Sequence, residues 1–434
     1  MSSKVKSAPA TDGPAALMPE RRFPDFQDSA AWKSVALGSV ASITTKKVGE
    51  KTCVPMSITS GVGLVSQMEK FGRIIAGGSY KNYLLLQKND FAYNKSATKE
   101  YPEGFIALYT GDELAAVPNS IFTCFRVKEA ALSPRYLNYL FLSNLHGRWL
   151  RKFIEVGARA HGSLSINDRD LLALPVPVPG GRGSLQEQEK VADCLSSADA
   201  LIEAQGRKIE ALKAHKKGLM QQLFPQEGET QPRLRFPEFD GTEEWMDKSL
   251  EEIVEVASGQ IDPKQAPYRS FPQIGSENIE SISGKLVKVK SASEKGVMSG
   301  NYVFDENDIL YSKIRPALNK VAAPNFMGIC SADIYPIRPS TSGLLRIYLL
   351  YLLRSENFLE YAVRNSERGK IPKINRDGLL SYRALIPTPP EQKRIADCLT
   401  SLEDLVAVEV QKFEALKTHK KGLMQQLFPQ VGED

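Results

Sequence analysis

KIEALKAHKKGLMQQLFPQ occupies residues 208–226, and KFEALKTHKKGLMQQLFPQ occupies residues 412–430. Only Ile209/Phe413 and Ala214/Thr418 differ, at a constant offset of 204 positions. The correspondence continues upstream: Glu187-Gln188 answers Glu391-Gln392, and Ala192-Asp193-Cys194-Leu195 answers Ala396-Asp397-Cys398-Leu399. A second echo opens each half, where Phe23-Pro24-Asp25-Phe26 and Trp32 match Phe236-Pro237-Glu238-Phe239 and Trp245. Between these landmarks the halves barely resemble each other. Two matching frames around two different inserts suit a molecule that holds two different recognition surfaces in one geometry.

The repeated stretches have helical periodicity. A 3–4 spacing runs Val191, Leu195, Ala198, Ile202, Gln205, Ile209, Leu212, Lys216, Leu219, Leu223. The second copy runs Ile395, Leu399, Leu402, Val406, Glu409, Phe413, Leu416, Lys420, Leu423, Leu427. This is a heptad stripe, broken at matching places by polar residues that can fix register at some cost in stability. Ser184 and Pro390 stand where helix starts are expected, and Pro225 and Pro429 stop each helix. A helix from Glu187 to Leu223 is about 55 Å long. Its apolar stripe needs a partner, and its own copy, paired antiparallel with pseudo-two-fold symmetry, is the economical one. A coiled coil between two chains is the alternative. His215 and His419, beside the lysine clusters, are expected to be solvated.

The chain has 434 residues, 42% hydrophobic and 25% charged, with a net charge of +5. That is ordinary globular composition, enough for two or three domains, and basic enough to admit an anionic partner without requiring one. No apolar run is long enough to span a bilayer, and residues 1–19 read as a polar, disordered leader. The five cysteines form no CxxC pair and the four histidines do not cluster near them, so neither a zinc site nor a disulfide framework is expected. Cys194 and Cys398 are expected as small buried helix residues. A reducing, cytoplasmic compartment fits.

Both inserts read as mixed α/β, with short strands such as Tyr83–Leu86, Ile121–Val127 and Ile309–Ser312, and helix-like stretches at Pro134–Phe153 and Leu344–Arg364. One segment recurs loosely: Asn89-Asp90-Phe91-Ala92-Tyr93-Asn94-Lys95 against Asn307-Asp308-Ile309-Leu310-Tyr311-Ser312-Lys313. Tyr93, Asn94, Lys95 and Lys99, with Tyr311, Ser312, Lys313 and Arg315, put base-reading and phosphate-binding side chains at the mouth of a strand. Basic loops after the helical stretches add Arg159, His161 and Ser163 in the first insert and Arg368, Lys370 and Lys373 in the second. The contrary reading is an exposed polar hairpin, and its recurrence argues against that. A peptide-binding scaffold, or a nuclease using Asp308 and Lys313, are the rival functions.

The pattern resembles the specificity subunits of type I restriction-modification enzymes. The paired Glu-Gln helix starts, the twin HKKGLMQQLFP endings, the Asn-Asp-Ile-Leu-Tyr-Ser-Lys-Ile-Arg-Pro segment and the Phe-Pro-x-Phe openings carry the likeness. It implies an α/β (α+β) chain in which two target-recognition domains are joined by two conserved helices forming an antiparallel coiled coil. The expected divisions are a leader (1–19), first recognition domain (20–183), first spacer helix (184–226), linker (227–233), second recognition domain (234–389) and second spacer helix (390–430). Leu195, Ile202, Ile209, Leu212 and Leu219, with Leu399, Val406, Phe413, Leu416 and Leu423, would form the coiled coil. The resemblance implies a non-catalytic reader of an asymmetric bipartite double-stranded DNA target. Two modification subunits and the restriction subunits would be its partners, in host defence. S-adenosylmethionine, ATP and Mg would belong to those partners, with no cofactor and no metal on this chain. The residues agree: no Asn-Pro-Pro-aromatic methylation motif, Gly-rich cofactor loop or Walker lysine loop occurs. The first insert departs from the pattern, with Asp-Phe-Ala for Asp-Ile-Leu and no Arg-Pro after Lys95.

Overall fold

A computed structural model describes residues 17–59, 61–128, 132–154, 164–367 and 369–429. The expected leader therefore falls outside the described residues through residue 16, and Leu17 pairs with Trp32 in an isolated β-bridge. The chain divides into two compact units: one runs through Ala204 and resumes at Phe413, the other is Gln205–Lys412.

The repeats form the long helices Ser184–Leu223 and Pro389–Leu427. Each unit contains a stretch of both. In the first unit Val191 and Leu195 share a core with Leu423 and Leu427; in the second Leu219 and Leu223 share one with Ile395 and Leu399. Later residues of one helix meet earlier residues of the other, so the helices pack antiparallel within the chain. Every stripe position is buried or half-buried, Gln205 and Glu409 included. The Gln205 amide donates to the Glu409 carboxylate at 2.5 Å and to its backbone carbonyl at 2.9 Å. His215 and His419 are exposed, and Cys194 and Cys398 are half-buried.

The two inserts, so unlike in sequence, have one topology. In the first unit a four-stranded antiparallel sheet has the order Ala41–Thr44, Phe122–Val127, Asp90–Asn94, Phe105–Leu108. A second sheet has the order Gly63–Ser66, Val54–Thr59, Ala115–Val117, Leu84–Leu86, with its central pair parallel. The second unit repeats both: Val254–Val256, Ile334–Pro339, Ile309–Ser312, Val321–Ala322, and then Lys290–Ser291, Pro272–Ile274, Gly328–Ser331, Asn301–Phe304. Its central pair is parallel too. A frame ribbon, Lys33–Ala36 with Pro175–Val178 or Met246–Ser249 with Arg383–Ile386, ties each insert's beginning to its end.

Each helix-like stretch is two helices rather than one. The first breaks between Pro134–Leu142 and Leu145–Leu150, at Asn144, whose φ is 63°. The second breaks between Arg346–Arg354 and Glu356–Arg364, where Ser355 turns extended and its hydroxyl accepts the Phe358 amide N–H. A side chain that caps the next helix competes with continuation of the first.

Candidate nucleic-acid interface

The recurring Asp-x-x-Tyr segment is the middle of a buried strand, and alternation explains its pattern. Phe91 and Tyr93 face the core shared with Tyr136 and Phe141, whereas Ala92 faces Leu86, Phe105 and Val117 beneath the second sheet. Ile309 and Tyr311 likewise face one core and Leu310 the other. Asp90 and Asp308 are fully buried, each paired with an arginine of the neighbouring strand: Arg126 at 2.6 Å and Arg338 at 2.8 Å. Each also accepts a backbone N–H, from Gln87 at 2.7 Å and from Asp305 at 2.8 Å. The Asp308 carboxylate is thus taken up structurally, which removes the ground for a nuclease built on it.

This placement corrects the expectation for the two tyrosines. Their rings are in the core, not at the surface, and the Tyr93 hydroxyl donates to the Glu103 carbonyl at 2.7 Å. Burial pushes both phenols well above their ordinary range. Asn94 and Ser312 are also buried: the Asn94 side-chain oxygen Oδ1 accepts the Ser96 backbone N–H, and the Ser312 hydroxyl lies 2.8 Å from that of Ser276. The surface begins one residue later, because the next side chains lie where the strand leaves its sheet.

There the second unit gathers four expected residues. The Arg315 amide donates to the Pro372 carbonyl at 2.7 Å, and the Ile374 amide to the Lys313 carbonyl at 3.0 Å. These bonds staple the strand mouth, Lys313 to Arg315, to the returning basic loop that carries Lys370 and Lys373. Arg315, Lys370 and Lys373 are exposed; Lys313 is half-buried, its ammonium 5.2 Å from the Tyr335 ring centroid. Lys373 pairs with Glu367 at 3.2 Å. Arg315 has φ 47° and Asn319 φ 45°, so the turn after the strand is tightly reversed. In the first unit the Leu164 amide donates to the Lys95 carbonyl at 2.7 Å, the same closure of loop onto strand mouth. Lys95 is half-buried and Lys99 exposed. Arg159, His161, Ser163 and Arg368 lie outside the described residues.

Sequence reading missed what the repeated landmarks do. Glu187 accepts from Arg22 at 2.7 and 2.6 Å and from the Trp32 indole at 3.1 Å. Glu391 accepts from Arg235 at 2.8 and 2.9 Å and from Trp245 at 3.2 Å. The adjoining Gln188 and Gln392 accept the backbone amides of Ser133 and Leu345, each at 2.8 Å. The conspicuous motifs latch each insert to its helix. The available signal was an arginine directly before each Phe-Pro-x-Phe. Arg354 was missed as well: it donates to the carbonyls of Ser283 and Val321 and pairs with Glu403 at 3.0 Å.

Among the described residues no cluster of His, Cys, Asp and Glu could hold a metal ion, and no helix is long and apolar enough to cross a membrane.

Comparison with known proteins agrees with this architecture. Residues 242–418 match the type I restriction modification DNA specificity domain. The chain is 26% identical over 336 residues to the type I restriction enzyme EcoDI specificity subunit of Escherichia coli, covering 71% of each chain. Its fold is similar to that of a chain from a type I R-M system whose complex assembly and conformational transition have been solved, with TM-score 0.56 at 16% identity, covering 92% of this chain and 97% of that one. It is also similar to the type I restriction-modification S subunit from M. genitalium, with TM-score 0.55 at 12% identity, covering 96% and 100%. With its two units built alike, the chain is similar to type I restriction-modification specificity subunits, in sequence over 71% of its length and in fold over more than nine-tenths of it.

Proposed function

We propose that this chain reads an asymmetric, bipartite double-stranded DNA target, one half-site per unit, and directs adenine-N6 methylation or restriction carried out by partner subunits. Recognition of DNA is the role that the similarity to DNA specificity subunits implies; the division into two half-sites is our reading. The observation that carries it is the shared closure. In two units of different sequence, the carbonyl of the strand-mouth lysine, Lys95 or Lys313, accepts an amide from the returning loop. A rigid, basic ledge with replaceable side chains suits phosphate anchoring beside base readout. The first ledge carries Lys95 and Lys99; Arg159, His161 and Ser163 precede Leu164 in the sequence and are further candidates for contact. The second carries Lys313, Arg315, Lys370 and Lys373, and Arg368 is a further candidate from the sequence. The paired helices, with Leu195, Ile202, Ile209, Leu212 and Leu219 facing Leu399, Val406, Phe413, Leu416 and Leu423, serve as the spacer. They would offer two modification subunits the same surface twice. S-adenosylmethionine, ATP and Mg would act on the modification and restriction subunits.

Single-molecule methylome sequencing of the source cells with the gene intact and deleted tests this. Loss of N6-methyladenine at one asymmetric bipartite motif is the expected result. An unchanged methylome in cells that express active modification subunits would overturn it.

A further inference from the structure

Among the described residues, the three most exposed large apolar side chains are Ile282 (75%), Val62 (73%) and Met298 (71%). Their placement is not random. Val62 lies in the connection between strands Val54–Thr59 and Gly63–Ser66, and Ile282 in the connection between the matching strands Pro272–Ile274 and Lys290–Ser291. In both units a short serine-capped helix follows, closed by a left-handed glycine: Gly72 at φ 66° and Gly296 at φ 62°. Directly beyond these glycines stand Ile74 and Ile75 in one unit and Met298 in the other, all exposed.

Both connections border the basic ledges. A Cβ on Gly61 would lie 3.2 Å from the hydroxyl of Tyr101, which is in the turn that carries Lys99. The Ile282 amide donates to the Asn319 carbonyl at 3.1 Å, in the turn that begins at Arg315. Exposed cations stand close by in the chain, Lys70 and Arg73 in the first unit and Lys285, Lys288 and Lys290 in the second, alongside the exposed carboxylates of Glu69 and Glu280. Ile282 also sits at φ 68°, a conformation that β-branched residues avoid and glycine adopts freely. A bare aliphatic group held in strain at a solvent-facing tip is poor for folding, so its use is sought in binding.

We infer that Val62 and Ile282 are specificity-determining residues that make apolar contact with bases in the groove of the half-site read by their own unit. This rests on the proposed DNA-reading function and names where that reading is done. Duplex DNA is favoured over a protein partner by how the two units differ. A partner present in two identical copies would meet identical surfaces, and those are supplied by the repeated helices. The two side chains lie in corresponding connections, both highly exposed and with lysines nearby in the chain, but they differ in kind, as two unlike half-sites require. Apolar side chains read thymine methyl groups or wedge between base steps, while neighbouring lysines hold the phosphates.

The test uses the chain assembled with its modification subunits and duplexes carrying single base-pair changes across both half-sites. Val62→Ser should lower discrimination at one or two positions of one half-site by about tenfold, the scale of one mismatched pair, with the other half-site unchanged. Ile282→Gly should do the same at the opposite half-site while melting no lower than wild type, because it relieves the strained backbone. A purely structural role would move stability and leave discrimination alone. Unchanged discrimination in both variants would overturn the inference. So would an equal loss at both half-sites accompanied by loss of bound modification subunit, which would mark the tips as a protein dock. Wild-type methylation of the bipartite target in the same assay reports separately on the underlying reading.

Discussion

Arg235 holds Glu391 with two hydrogen bonds of 2.8 and 2.9 Å, in a setting where the Glu391 side chain is 1% exposed. Trp245 adds a third donor to the same carboxylate. Three donors on a buried carboxylate make the pair tolerable; removing one partner leaves the other charge buried and unpaired. Arg235→Met should therefore destabilise the second unit by about 3 kcal/mol or more. Denaturant unfolding followed by fluorescence checks this, and Arg22→Met should do the same in the first unit through Glu187.

Tyr93→Phe is expected to act on stability and not on recognition. The ring keeps its place in the core, while the Glu103 carbonyl loses the hydroxyl donor it has at 2.7 Å. A cost of about 1–2 kcal/mol follows for a buried acceptor left unpaired. Half-site preference, measured by methylation of single-base variants, should match wild type. A changed preference would return the tyrosine to the DNA surface.

His146 gives the first unit a specific acid sensitivity. Burial holds its imidazole down at about 4, against an ordinary value of 6.5, and its Nε2 lies 3.2 Å from the Gly104 carbonyl. Between these two values the unfolded chain binds a proton that the folded chain refuses, so stability falls as pH drops through the window. The contribution is fully present above 6.5 and declines toward 4, by up to about 3 kcal/mol. The difference in unfolding free energy between wild type and His146→Phe, measured from pH 7 to pH 4, should shrink in that direction. A pH-independent difference would contradict it.

Lys313→Ala and Arg315→Ala should each weaken DNA binding across all sequences and lower the slope of log affinity against log salt by about 1 if that side chain meets a phosphate. If Arg315 instead reads a base, its variant should relax one position of one half-site by about 1–3 kcal/mol and leave the salt slope nearly unchanged. Titrations at several salt concentrations separate the two roles.

The long helices were legible because a stripe of period 3–4 over some forty residues has one physical solution. The same stripe written twice in one chain supplies its own partner, and Gln205 and Glu409 do meet in the register that the repeat suggests. The ledges were legible in part. Lys313, Arg315, Lys370 and Lys373 were named from composition and recurrence, but nothing local says that Arg315 and Pro372, far apart in the chain, share a backbone hydrogen bond. The tyrosines were misplaced because a strand buried on both faces alternates between two cores rather than between core and water. Its outward residues therefore look the same as its inward ones.

By itself the sequence determined the repeat and the two long helices, and it named antiparallel pairing within the chain as the economical arrangement. The repeat and the helices follow from periodicity and identity along the chain. Tertiary structure alone decided that two dissimilar inserts share one topology, that Glu187 and Glu391 are latches, and that Val62 and Ile282 stand exposed in corresponding connections. The physical reason is that burial is a property of what packs around a residue. Neither the buried Tyr311 nor the exposed Ile282 carries in its own neighbourhood of sequence the contacts that placed it.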